Sequence, residues 1–179
     1  MTDRRVRKTL AAVYQALAAL LSEKELKDIT IRELCERADI NKSTFYLHFH
    51  DIYDCTDSFL DTLAAPVIDV ISCYSYNDLL FEAPEMWNRI LDVYQNNFSL
   101  YAPLFKSSSL MPFLNRMDHS ITEKILEHWQ ITDAQSQHKY AITFIIRGFM
   151  GVLQEYDLDE LRGPVISALA AKVSKGFRE

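Results

Sequence analysis

Apolar positions recur along this chain at three- and four-residue spacing almost from its start, which is the pattern of amphipathic helices and not of strands. Val6, Leu10, Val13, Tyr14, Leu17, Leu20 and Leu21 form one stripe and predict a helix from about Thr2 to Ser22. Two short helices follow. Thr30 and Glu33 have the spacing of a capping box, in which each residue satisfies a backbone N–H that the first helical turn leaves without a partner. Ile31, Leu34, Cys35 and Ala38 then share an inward face. Asp39 stands where the chain must turn, because Asp tolerates the left-handed conformation better than most residues, and Ile40 returns to the core. Asn41 suits the N-cap of the second short helix, in which Phe45 and Phe49 bury together at i and i+4.

The remainder predicts helix after helix. Asp51 caps a helix reaching about Cys73, with Phe59, Leu60, Leu63, Val67, Val70 and Ile71 inward and Pro66 as a kink or break. Pro84 fits the first turn of a helix carrying Met86, Trp87, Ile90, Leu91, Tyr94 and Phe98. Pro103 ends or bends a short piece, Ser107 to Ser109 make a loop, and Pro112 opens a helix through Trp129. Thr132 and Gln135 are a second capping-box pair, starting a helix to about Tyr156. Gly163 and Pro164 precede a last helix, from about Val165 to Lys175. The expected fold class is therefore all-α.

The second short helix carries the most telling chemistry. Its apolar anchor leaves Lys42, Ser43, Thr44, Tyr46 and His48 for solvent or a ligand. Short polar and basic groups at the start of a firmly anchored helix suit reading of the DNA major groove. Upstream, Arg4, Arg5, Arg7 and Lys8 cluster where an arm or first helix would meet the phosphate backbone.

The run from Asn41 through Lys42, Ser43, Thr44, Phe45, Tyr46, Leu47 and His48 to Phe49, with the short helix and turn before it, resembles the TetR family of transcriptional regulators. Spacing, caps and apolar positions agree together over roughly the first third of the chain. Two positions depart from the family pattern. Asp39 replaces the usual turn Gly, and Ile52 replaces a Lys that normally helps hold the DNA backbone, so that this phosphate contact is either missing or taken by His50. The resemblance implies a helix-turn-helix DNA-binding domain over residues 1–50 and a helical regulatory and dimerisation domain over 51–179. It also implies a homodimer on double-stranded DNA, acting as a repressor that a small-molecule effector releases. Thr30, Lys42, Ser43, Thr44, Tyr46 and His48 are the expected DNA-facing residues. Lys42 and Thr44 are the base readers, with Thr30, Tyr46 and His48 on the backbone.

Charge complicates this picture and then supports it. The net charge of the 179 residues is −6, which opposes binding to a polyanion. Residues 1–50, however, hold nine Lys/Arg against seven Asp/Glu, so the acidic excess lies entirely in residues 51–179. Binding should be salt-sensitive and should need two copies. The segment Tyr140 to Gln154 is apolar on nearly every side and needs cover on more than one face; pairing with a second copy supplies it, and Gly148 and Gly151 permit close approach. A dimer is the simplest such arrangement, and the core helix of a monomer is the alternative.

Aromatics and methionines are dense between Met86 and Phe149. They form either packed core or an effector pocket, for which Trp87, Tyr94, Phe98, Met117, Phe144 and Arg147 are the candidates. Arg147 would meet an anionic ligand, pair with a carboxylate such as Asp92 or Glu155, or reach to the surface.

Other classes find less support. His48 with His50, and His119 with His128, lack chelating geometry, and Cys35, Cys55 and Cys73 lack zinc spacing, so no metal or cofactor is expected. No phosphate-binding Gly loop or nucleophile elbow marks an enzyme. No apolar run is long enough to span a bilayer, charges through the first eight residues do not suit a signal peptide, and the odd cysteine count fits a reducing cytoplasm. The competing function is a protein-interaction module or co-activator of the same fold, whose acidic helical domain binds a partner protein.

Overall fold

The computed structural model describes residues 4–81, 84–105, 111–132, 136–156, 168–169 and 171–173. The described residues form helices joined by turns and short loops and contain no strand. In chain order the helices are α1 (Arg4–Leu21), α2 (Ile31–Arg37), α3 (Lys42–Tyr46), α4 (Ile52–Ser72), α5 (Tyr76–Phe81), α6 (Pro84–Asn96), α7 (Phe98–Phe105), α8 (Met111–His128) and α9 (Ser136–Glu155). A 3₁₀ turn, Leu26–Asp28, links α1 to α2. Of the segment expected to form the last helix, residues 168–169 and 171–173 are described and are helical, while the Ser107–Ser109 loop and Gln135 of the second capping box lie outside the described residues.

Local hydrogen bonds explain several boundaries. The Thr30 hydroxyl accepts from the Glu33 N–H at 3.2 Å and caps α2. The reciprocal half of that box is redirected, since Glu33 pairs with Lys24 at 2.6 Å. Before α4, Asp51 Oδ1 accepts from the N–H groups of Tyr53 and Asp54, and Asp54 Oδ2 accepts from that of His50, all within 2.9 Å. Ser75 and Asp78 make the same reciprocal arrangement ahead of α5, an element that apolar spacing alone did not reveal.

The chain forms two compact units. One comprises Met1–Leu63 and Phe98–Asn115, the other Ala64–Asn97 and Arg116–Glu179. Compactness thus divides the chain differently from a cut after residue 50. In the first unit α1 packs against both α2 and α7, and α2 against α3. Three short helices bury too little surface alone, so Phe59 and Leu60 of α4 and Tyr101 of α7 complete the core with Val13, Leu17, Leu34, Phe45 and Phe49. Pro66 does not end α4. A proline inside a helix leaves nearby carbonyls short of a donor, and buried Tyr101 donates its hydroxyl to the Leu63 carbonyl at 2.6 Å.

The second unit is built on α6, most of α8, and α9. Met86, Ile90, Leu91, Met117, Ile121, Ile125, Ile142 and Met150 are buried there. The Trp129 indole N–H donates to the Tyr74 carbonyl at 3.2 Å. This unit holds a partly open apolar cavity of about 20 Å³, walled by Ile71, Trp87, Tyr94, Ile121, Ile146 and Phe149 among others. That is room for about one water molecule.

Candidate nucleic-acid interface

The turn between α2 and α3 is the hinge of the site. Asp39 adopts φ 52°, the left-handed conformation for which the family pattern uses Gly. The Ala38 N–H bonds to Leu34 O and the Ile40 N–H to Cys35 O, which closes α2 and reverses the chain. Asn41 then takes the extended conformation of an N-cap, with its side chain making no cap hydrogen bond.

Phe45 and Phe49 hold α3 in place. They are 0% and 5% exposed, their ring centroids lie 5.3 Å apart, and Phe49 also meets Tyr14 of α1 at 6.3 Å. The opposite surface is open. Lys42, Ser43 and Tyr46 are exposed, Thr44 and His48 are half-buried, and Thr30 is exposed at the start of α2. The six residues expected to face DNA therefore all have solvent access, in the segment from Thr30 to His48. Tyr46 stands edge-on to Phe45 with centroids 5.5 Å apart. Leu47, the C-cap of α3, is 80% exposed, and nothing in the sequence pattern distinguished it from a buried apolar position.

Electrostatics around the site have a definite sign. Arg4, Arg5, Arg7 and Lys8 are exposed in the first turns of α1, and the first turn carries no acidic residue. Cations at that end of a helix oppose its dipole, so their clustering there does not serve helix stability. Ile52, where the family pattern has Lys, is buried at 9% exposure, while His50 is exposed. Arg37 with Glu23 and Arg32 with Glu36 are surface ion pairs at 2.7 and 2.8 Å, which leaves Lys42 as the basic side chain on α3 itself. Burial raises the pKa of the nearby Cys35 thiol, with Lys42 partly opposing, and pushes that of Cys55 up to about 12, which disfavours the thiolate of each.

The expected effector residues stand in different surroundings. Trp87 and Tyr94 line the cavity of the second unit. Met117 is fully buried on α8, and Phe98 is half-exposed in the first unit. Phe144 and Arg147 lie on the exposed side of α9. On a helix, residues 144 and 147 point away from 145, 146, 149 and 150, which form the buried side, so packing of the isoleucines turns the other two outward. Buried Asp118 is a carboxylate under the influence of Arg147; its Oδ1 has no hydrogen-bond partner, and burial raises its pKa to about 6 against the lowering effect of Arg147. Among the described residues no group of three His, Cys, Asp or Glu could hold a metal ion, and no helix is long and apolar enough to cross a membrane.

Comparison with known proteins agrees with this geometry. Residues 13–56 match the family described as bacterial regulatory proteins, tetR family. The chain is 26% identical over 167 residues to YxbF, an HTH-type transcriptional regulator of Bacillus subtilis (strain 168). That match covers 88% of this chain but 41% of YxbF, so the chain spans about two fifths of its curated relative. In fold it is similar to a putative TetR-family transcriptional regulator from Syntrophomonas wolfei, with TM-score 0.60, 16% identity, and 96% and 95% of the two chains covered. It is also similar to AlkX, a TetR family repressor from Dietzia sp. implicated in biodegradation of n-alkanes, with TM-score 0.52, 17% identity, and 94% and 95% covered.

Proposed function

We propose that this chain is a transcriptional regulator of the TetR family, a repressor that binds a near-palindromic operator as a homodimer and is released by a small molecule. The observation that carries the reading is α3: two buried phenylalanines anchor it while Lys42, Ser43, Thr44 and Tyr46 line its open side. Lys42 and Thr44 reach base edges, and Thr30, Tyr46 and His48 position the backbone. Exposed His50 takes the phosphate contact that buried Ile52 cannot make. Residues 1–50 carry the DNA contacts, and 51–179 carry dimerisation and regulation.

The outer side of α9 supports the dimer. Tyr140 and Phe144 are 71% and 65% exposed, and Gly148 and Gly151 continue the same stripe. A Cβ at either glycine would meet nothing within 4 Å. Glycine inside a helix costs about 0.5–1 kcal/mol relative to Ala, so two on an open face make sense when another helix approaches closely. A second copy of α9 covers the stripe, and the resulting dimer carries two α3 helices for two half-sites, which on DNA lie about 34–36 Å apart. The apolar cavity beside Trp87 and Tyr94 is where an effector would enter by prising α6, α8 and α9 apart.

The test is selection of bound duplexes from a random pool by the purified chain at moderate salt, with its mass measured by sedimentation. A palindrome recovered by a dimer is the expected result. Folded protein that enriches no duplex sinks the operator reading, and a monomer sinks the α9 pairing. Phe144→Glu should split the dimer and weaken operator binding without unfolding the chain.

A further inference from the structure

Leu47 is the most exposed large hydrophobic residue among those described, at 80%, and it sits at the end of the helix proposed to enter the groove. A single exposed leucine is unremarkable on an ordinary surface. Its surroundings set this one apart. The Leu47 N–H bonds to the Ser43 carbonyl at 3.2 Å, so Leu47 lies one turn beyond Ser43 on the same open side of α3. Exposed Lys42 and Tyr46 flank that line, and the buried side is already filled by Phe45 and Phe49. The core has no place for Leu47, and its side chain projects about one helical turn from the polar groups that face the bases.

The floor of the major groove carries one apolar group on a base edge, the C5-methyl of thymine. We infer that Leu47 makes apolar contact with a thymine methyl in each half-site and so selects thymine at that position. The inference rests on the operator reading above. Leu47 has no hydrogen-bonding group, so its contribution is confined to the methyl and does not depend on phosphate contacts.

The experiment uses the full chain and its own selected operator in two forms, one with thymine and one with every thymine replaced by deoxyuridine. The replacement keeps base pairing and removes only the methyl groups. The unmodified protein should bind the deoxyuridine form more weakly, by roughly fourfold for each methyl group that Leu47 covers in the thymine form. Leu47→Ala should bind both forms alike, whereas Leu47→Met, which keeps apolar reach, should retain the preference. Equal binding of both forms by the unmodified protein overturns the inference while leaving the operator reading intact. So does an undiminished thymine preference in Leu47→Ala, which would assign the methyl to another residue. If no duplex is selected at all, the operator reading itself falls and this inference with it.

Discussion

Helices α3 and α9 each bury one side and open the other, but they open it with opposite chemistry. The outer side of α3 carries Lys42, Ser43 and Tyr46, with Leu47 closing it. The outer side of α9 carries Tyr140, Phe144, Gly148 and Gly151, with Arg147 among them. A helix that meets a wet, charged groove keeps its hydrogen-bonding groups free, whereas one that meets another helix needs apolar rings and small residues that let backbones approach. Exposure by itself therefore does not say what a surface is for; the composition of the exposed stripe does.

The interiors behind the two helices also differ, and this is where the comparison can be broken hardest. Phe45 is fully buried, so Phe45→Ala should destabilise the first unit by about 3–5 kcal/mol, read as a lower denaturant midpoint, with DNA binding lost as a consequence. A variant that keeps its midpoint and loses only DNA affinity would mean that the ring is a contact and not an anchor.

The second unit holds the opposite kind of buried group. Asp118 has its pKa raised from 3.8 to about 6 by burial, with Arg147 partly offsetting. Between those values the folded state binds more proton than the unfolded state, so stability should fall as pH rises from about 4 to 6. The shift corresponds to roughly 2–3 kcal/mol at pH 7. Asp118→Asn should therefore stabilise the protein at pH 7 and flatten its melting temperature across pH 4 to 6. A loss of stability in that variant would show a firm ion pair with Arg147 in its place.

Smaller effects sharpen the α3 side. Lys42→Ala and Tyr46→Phe should each weaken operator binding by about 1–3 kcal/mol while leaving helical content and melting unchanged. Lys42→Ala should also reduce the dependence of affinity on salt if it neutralises a phosphate instead of reading a base. The smallest change expected is from Thr30→Ala, which removes the cap on α2 and should cost about 1 kcal/mol in stability. No change at all would mean that water satisfies the Glu33 N–H equally well.

Much of the first unit was legible because its signals are local. The Thr30 cap, the turn at Asp39 and the burial of Phe45 with Phe49 each depend on residues within four positions of one another, and each is found. The partner of Glu33 was not legible, since Lys24 reaches it from nine residues upstream. Nor was the use of α7 as part of the same unit, because its packing on α1 joins segments far apart in sequence. Leu47 was hidden for a simpler reason: a leucine next to two buried phenylalanines carries the same apolar signal whether it points in or out.

For α9 the sequence determined that the helix is apolar around most of its circumference, and hence that something beyond its own chain segment must cover it. Which side is the inside was decided only by tertiary packing, which turned Ile145, Ile146, Phe149 and Met150 inward and left Phe144 and Arg147 outside. The same division holds for the whole protein. Helix type, caps and turn chemistry follow from short-range sterics and hydrogen bonds that a linear sequence displays. The size of the cavity beside Trp87 and the protonation of Asp118 follow from the density and dielectric of packed neighbours, and these exist only once distant segments have come together.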